Sequence, residues 1–165
     1  MENPIIRFAE PKDCKAILGL IKELAVYEKA GQEVEMDEAT LIKDGFGEQP
    51  LFHVLVADHE NEIKGISFYF IKYSTWKGKS IHLEDLIVAE RFRGTGLGKL
   101  LFDATIKEAQ KVNAKRLDWQ VLDWNKSAIE FYKKLGADID ETWYSCRLNE
   151  TEITHFFEKK ATILP

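Results

Sequence analysis

Residues 81–102 read IHLEDLIVAERFRGTGLGKLLF, and this stretch decides the fold. Its first eight residues are apolar apart from three polar side chains, which is typical of a half-buried strand. Glycines at alternate positions then form a turn at Gly94, Gly96 and Gly98. From Leu97 onward the apolar residues recur at helical spacing. The stretch therefore predicts a strand, a glycine turn and an amphipathic helix in direct succession.

A glycine turn before a helix presents bare N–H groups to an anion, which the helix dipole also favours, so phosphate is the natural ligand. A P-loop is excluded because the required Gly and Ser/Thr positions hold Arg93 and Leu100. A dinucleotide fingerprint starting at Gly94 fails at Lys99. What remains is R-x-x-G-x-G-x-G, which offers amides to a pyrophosphate beside Arg91, Arg93 and Lys99. The structural alternative is a turn whose basic residues merely face water.

Outward from this turn, the patterns predict one mixed α/β domain over residues 1–165. Strands are predicted at residues 5–9, 51–57, 62–73, 79–88, 116–122 and 142–148. Helices are predicted at residues 11–27, 37–43, 97–113, 126–135 and 150–159. The links between the second, third and fourth strands are too short for crossover helices, so these strands should pair antiparallel.

The composition excludes several functional classes. The 165 residues carry a formal net charge of −5 and a pI near 5.5, which argues against a binder of nucleic-acid phosphates and favours a cationic partner. Residues 23–48 hold eight acids against two bases, as a solvated surface or a cation-binding rim would. The two cysteines and four histidines show no ligand spacing, so neither a metal nor a disulfide framework is expected. Without a signal peptide or a long apolar run, we expect a cytoplasmic protein that neither binds nor spans a membrane.

The chain resembles the GNAT family of acetyl-CoA-dependent N-acetyltransferases, whose pyrophosphate loop reads Q/R-x-x-G-x-G/A. The segments IKELAVYEK, DGFGEQPLFHVLVA, YSTWKGKSIHLEDLIV and VLDWNKSAIEFYKKLGA resemble the diamine (spermidine/spermine) acetyltransferase branch over residues 5–136. The resemblance implies a central mixed, mostly antiparallel sheet flanked by helices. Within it, the strand bearing Leu86 to Val88 splays from a neighbour to admit pantetheine. The resemblance also implies a homodimer, a small amine substrate and acetyl-CoA as cosubstrate.

The resemblance assigns roles to individual residues. It implies Glu84 as the proton acceptor and Tyr132 as the general acid. The implied acetyl-CoA site comprises Leu86, Ile87, Val88, Arg93, Gly94, Thr95, Gly96, Leu97, Gly98, Lys99, Asn125 and Tyr132. The implied amine site comprises Tyr27, Glu28, Trp76, Glu84 and Asp85. From the residues alone, Glu84 and Asp85 should point to opposite faces of their strand unless a bulge intervenes, and Tyr132 could be a core aromatic.

Two departures bear on the substrate. The polyamine acetylases carry an acid two residues before the tryptophan, where this chain has Ser74-Thr75-Trp76, and the segments STWKG and VLDWN resemble the thialysine Nε-acetyltransferase subgroup. Leu135 stands where the polyamine enzymes place a basic residue that can serve CoA, a role for which Lys133 or Lys134 could substitute. Two alternatives stay open. One is an acetyltransferase for protein lysines or N-termini, and the other is a non-catalytic sensor of acetyl-CoA or polyamine.

Overall fold

The computed structural model describes residues 4–160, with side chains through residue 158. The chain divides into two compact units, Met1–Gln120 and Val121–Pro165, which are described separately. That residues 1–165 act as a single domain stays a prediction.

The first unit is built on a five-stranded sheet in the order β1-β2-β3-β4-β5. The strands are β1 (Ile5–Phe8), β2 (His53–His59), β3 (Glu62–Ser74), β4 (Gly78–Val88) and β5 (Leu117–Asp118). The first four pair antiparallel, as predicted for the central three, and β5 joins β4 in parallel. The predicted mixed, mostly antiparallel sheet is confirmed.

Three helices of the first unit pack on this sheet, α1 (Cys14–Tyr27), α2 (Glu38–Phe46) and α3 (Leu97–Lys111). Ile66 belongs to the buried cluster that includes α1 and α2, whereas its neighbour Ser67 bonds the Thr105 hydroxyl of α3 at 2.6 Å. Because adjacent strand residues point to opposite faces, α1 and α3 cover opposite faces of the sheet. The predicted flanking helices are therefore confirmed.

The second unit contains α4 (Lys126–Lys134), α5 (Glu150–Thr154) and α6 (Phe156–Lys160). The helix predicted at 150–159 is thus divided at His155.

Two strand predictions were wrong. The strand predicted at 116–122 shortens to the two residues of β5, and residues 142–148 form no strand in the described structure. Strand composition is insufficient where no neighbouring strand supplies hydrogen bonds. Trp143 and Tyr144 in the second segment are accordingly exposed.

Candidate active site

A bulge in β4 resolves how Glu84 and Asp85 are arranged. Phe68 of β3 lies opposite Asp85 and Tyr69 lies opposite Leu83, so Glu84 is an extra residue with no partner across the ladder. The bulge breaks the regular alternation of faces that would have separated the two carboxylates. The sequence analysis allowed for such a bulge but did not predict one.

Glu28, Glu84 and Asp85 form an acidic cluster. Burial, followed by repulsion from Glu84 and Glu28, raises the pKa of Asp85 to about 6. Glu28 stands at the C-terminal cap of α1, and burial raises its pKa as well. Within the described residues, neither Glu28 nor Asp85 has an ion-pair partner. The sequence predicted these three acids for one amine site, and the structure brings their charges within range of one another.

The glycine turn begins two residues after a short 3-10 segment, Glu90–Phe92. Gly94 and Gly96 adopt φ angles of +76° and +90°, a left-handed conformation that side chains with a Cβ disfavour. The Thr95 hydroxyl donates a 2.7 Å hydrogen bond to the Phe92 carbonyl and so braces the turn. No side chain caps α3 at Gly96, so N–H groups of its first turn are available to a bound anion.

The basic residues around the turn differ in what they contact. Arg91 is paired with Glu62, and Lys99 lies 2.5 Å from a carboxylate oxygen of Asp103 one helical turn later. Arg93 instead donates to the Val88 carbonyl at 3.2 Å and lies over the ring of Tyr27, 4.8 Å from its centroid. The structure thus brings Arg93 of the predicted cosubstrate site against Tyr27 of the predicted amine site.

A cavity of about 520 Å³ opens where Tyr27 meets Arg93. Its other lining residues are Gly19, Lys22, Glu23, Val26 and Glu90. Four of these lie at positions 19, 22, 23 and 26, which is the i, i+3, i+4, i+7 spacing of a single helix face. Of these, the sequence analysis included only Glu23, within the acidic segment 23–48; the helical spacing of the four positions could have indicated the others.

The edge of β4 carries the predicted cosubstrate residues Leu86, Ile87 and Val88. One edge of this segment pairs with β3, whereas β5 pairs with the other edge only at Ile81 and His82. Beyond His82, no strand of the first unit as described satisfies that second edge. On this side the Val88 carbonyl accepts from Arg93, and Leu86 to Val88 have no strand partner within the first unit as described.

Trp76, Asn125 and Tyr132 were also predicted for the site. Trp76 is 81% exposed in the turn that joins β3 to β4, and Gly78 to Glu84 spans about 20 Å of strand. Asn125 caps α4 in the second unit by accepting from the Ala128 N–H at 3.2 Å. Tyr132 lies on α4 and is 8% exposed. Asn125 therefore has a structural role that the sequence analysis did not mention.

Comparison with known proteins identifies the family. The model of the "Acetyltransferase (GNAT) family" matches residues 15–137. The chain belongs to the GNAT family. Homologues over most of its length are N-acetyltransferases, and the chain is an acetyltransferase enzyme.

Named relatives narrow this GNAT assignment. The chain is 40% identical over 158 residues to a thialysine N-epsilon-acetyltransferase of Sus scrofa, covering 89% of this chain and 93% of the relative. It is 34% identical to a human spermidine/spermine N(1)-acetyltransferase-like protein 1, covering 90% of this chain and 23% of that protein. An integron cassette protein from the V. cholerae mobile metagenome shares the fold, with a TM-score of 0.76 and 24% identity over 98% of this chain and 99% of that chain.

Within the described residues, no helix is long and apolar enough to cross a membrane, and no cluster of three or more His, Cys, Asp or Glu side chains could hold a metal ion.

Proposed function

We propose that this GNAT enzyme uses acetyl-CoA to acetylate a primary amine of a small thialysine-like, lysine-like or polyamine-like substrate, by direct attack within a ternary complex. The observation that carries the proposal is the acidic cluster of Glu28, Glu84 and Asp85, which lacks a paired Lys or Arg among the described residues. Burial and the charges of Glu84 and Glu28 raise the pKa of Asp85, and a bound ammonium group would relieve that repulsion. Glu84 and Asp85 lie on the strand that leads into the glycine turn, and Glu28 lies at the end of α1.

The residues around that turn fit acetyl-CoA. The uncapped start of α3 and the side chain of Arg93 suit a pyrophosphate, and the strand edge at Leu86 to Val88 suits the amides of pantetheine. A Cβ at Gly94 or Gly96 would meet no protein atom within 4 Å, so glycine is needed there for the left-handed backbone and not to avoid a clash. When bound, acetyl-CoA supplies an acetyl thioester as the activated acyl donor.

Glu84 is proposed as the proton acceptor. A lysine-like amine of pKa about 10.4 is almost wholly protonated at neutral pH, and exposing its lone pair costs about 4–5 kcal/mol. The Glu84 side chain is 54% exposed, so it can meet the amine directly or through one water. Tyr132 is proposed to donate a phenolic proton to the departing thiolate. Because Tyr132 belongs to the second unit, this role rests on family resemblance alone.

The acceptor is best described as an amino-acid-like amine. Ser74-Thr75-Trp76 lacks the acid that would attract a second, distant ammonium group of a polyamine. The similarity to thialysine acetyltransferases covers nearly the whole chain and supports the same choice. A substrate of this kind brings one ammonium group to Glu28 and Asp85.

A homodimer would account for two features of the single chain. Trp76 lies far along β4 from Glu84, so a partner's Trp76 is better suited to complete an amine site. The exposed segment 142–148 has strand composition and no strand partner within the described residues, as an intermolecular strand would. We also propose that the protein acts in the cytoplasm.

The proposal is tested in two stages. Calorimetry of the purified protein with acetyl-CoA should detect saturable binding, which Gly96→Val should weaken at least tenfold by forcing a side chain into a left-handed turn. A panel of thialysine, lysine, ornithine, putrescine and spermidine should then release CoA, fastest with the amino acids. Binding without turnover of any amine would favour the sensor or a protein substrate, and absence of binding would exclude the proposal.

Tyr132→Phe tests the general acid separately. We expect kcat to fall about 100-fold, as loss of general acid catalysis predicts, with little change in acetyl-CoA affinity. Tyr73→Phe is the matched control, because Tyr73 is 78% exposed and has no proposed role. Equal turnover of Tyr132→Phe and wild type would remove the assignment.

A further inference from the structure

We propose that His82 is a positioning residue that holds Glu84 through one ring nitrogen while Asp118 holds His82 through the other. The inference rests on the proposed function, in which Glu84 accepts the amine proton. His82 lies two residues before Glu84 on β4, immediately upstream of the bulge, and 19% of its side chain is exposed. The sequence analysis left this histidine without a role.

The Asp118 carboxylate fixes the tautomer of His82. Its Oδ1 lies 2.7 Å from His82 Nδ1. Burial alone would raise the pKa of Asp118, but hydrogen bonds from Lys72 and His82 outweigh it and hold the pKa below its usual value. An ionised carboxylate only accepts hydrogen bonds, so Nδ1 must carry a proton. The other nitrogen, Nε2, is left for Glu84.

His82 Nε2 lies 3.6 Å from Oε2 of Glu84. This is an ion-pair separation rather than a hydrogen bond, and a small rotation of the half-exposed Glu84 closes it. With its proton on Nδ1, the imidazole presents a lone pair at Nε2. When Glu84 has taken a proton from the amine, its O–H donates to that lone pair, and no other proton moves. His82 can therefore hold Glu84 in place once the proton has moved.

Asp118 is itself anchored on two sides. Lys72 Nζ lies 2.5 Å from its Oδ1. Arg116 Nε lies 2.8 Å from its Oδ2 as an ion pair without hydrogen-bond geometry, and this buried oxygen has no hydrogen-bond partner among the described residues. The two-residue strand β5 places Asp118 directly beside His82 in the parallel ladder. On the adjacent strand, the ring of Phe70 lies 5.2 Å from the imidazole. The two residues of β5 therefore have a function, because their pairing with β4 positions the Asp118 carboxylate against His82.

Two substitutions separate positioning from simple structural support. The amide of His82→Asn reaches the place of Nδ1, so it can still bond Asp118 but cannot reach Glu84. The amide of His82→Gln reaches the place of Nε2 and can donate to or accept from Glu84. We expect kcat to fall about tenfold or more in His82→Asn and about threefold in His82→Gln, with the KM for acetyl-CoA unchanged in both.

The matched control is His53→Gln. His53 lies on β2 of the same sheet and also packs against an aromatic ring, that of Tyr69, at 5.5 Å. Its loss should change kcat by less than about twofold, as expected for a site remote from the base. Equal losses in His82→Asn and His82→Gln, or no loss in either, would overturn the positioning role.

A second measurement needs no turnover. Nitrogen NMR of the imidazoles should show His82 protonated at Nδ1, and Asp118→Asn should disturb that signal. Glu84→Gln should shift the Nε2 resonance of His82 while that of His53 stays in place. If neither substitution shifts the His82 nitrogen resonances, the inference fails even when the enzyme is active. If they respond but no amine is acetylated, the linkage stands and the proposed function fails.

Discussion

Two carboxylate clusters of the first unit show opposite electrostatics. In the first, Arg7 contacts Asp13 at 2.7 Å and Asp58 at 2.8 Å, and its hydrogen bond holds the pKa of Asp13 below the usual value. In the second, the acidic cluster, burial and mutual repulsion raise the pKa of Asp85 to about 6. Both sets of acids are partly withdrawn from water, so the presence of a cation makes the difference.

This contrast indicates which cluster serves the fold and which serves a ligand. The Arg7 cluster joins β1, the turn before α1 and β2 through complete ion pairs. The acidic cluster pairs no carboxylate with a Lys or Arg among the described residues, and ionising Asp85 opposes folding. Perturbed carboxylates of this second kind are typical of functional sites. Removing a charge should therefore lower stability in the Arg7 cluster, whereas in the acidic cluster it should lower activity at Glu84 and raise stability at Asp85.

The largest effect is expected for Glu84→Gln. Loss of the base should lower kcat at neutral pH about 100-fold or more. The pH optimum should move upward, because alkaline solution supplies free amine without a base. A pH–rate profile measured with a saturating amine checks both expectations. An unchanged profile would exclude Glu84 as the base, and with it the claim that the acidic cluster serves catalysis.

Arg7→Met should lower stability and leave catalysis intact. The substitution leaves the nearly buried carboxylate of Asp13 without its countercharge. Breaking such an ion pair costs about 2–4 kcal/mol of stability where one partner is partly exposed. Urea unfolding at pH 7 measures this loss, and kcat is measured well below the melting temperature.

The Arg7 effect has a defined pH dependence. Because Arg7 lowers the pKa of Asp13, its stabilisation is complete above about pH 4 and is lost as pH falls through the lower native pKa. The wild type and Arg7→Met should therefore converge in acid. A constant difference down to pH 2 would contradict the electrostatic explanation.

Asp85→Asn should act in the opposite direction on stability. The raised pKa means that ionising Asp85 disfavours the native state, so the wild type loses stability as pH rises from about 4 through 6. Removing the charge should stabilise the protein at pH 7 by about 1–3 kcal/mol and have little effect at pH 4. Unfolding curves at the two pH values measure this, with exposed Asp123→Asn as control. Equal effects at both pH values would exclude charge repulsion as the cause.

Local pattern predicted the central strands, the glycine turn and helix α3, because each depends on residues close together in sequence. The same pattern failed at residues 116–122 and 142–148, where a strand depends on a distant neighbour that sequence does not specify. The bulge at Glu84 is of the second kind, since it is visible only once β3 and β4 are in register. Motif resemblance predicted Tyr27, Glu28 and Arg93 as site residues. The α1 residues that line the cavity and the partners of His82 were identified only from the folded structure.

The smallest effect is expected for Lys12→Ala, which removes an exposed ion pair and so tests whether burial makes the Arg7 cluster stabilising. Lys12 lies 2.6 Å from Glu10, beside the Arg7 cluster, but both side chains are mostly exposed, at 70% and 56%. Water screens such a pair and holding two long side chains together costs entropy, so its removal should leave the unfolding midpoint within experimental error. Arg7→Met removes two largely buried ion pairs, whereas Lys12→Ala removes one exposed pair of similar length. If Lys12→Ala destabilised the protein as much as Arg7→Met, burial would not be what makes the Arg7 cluster structural.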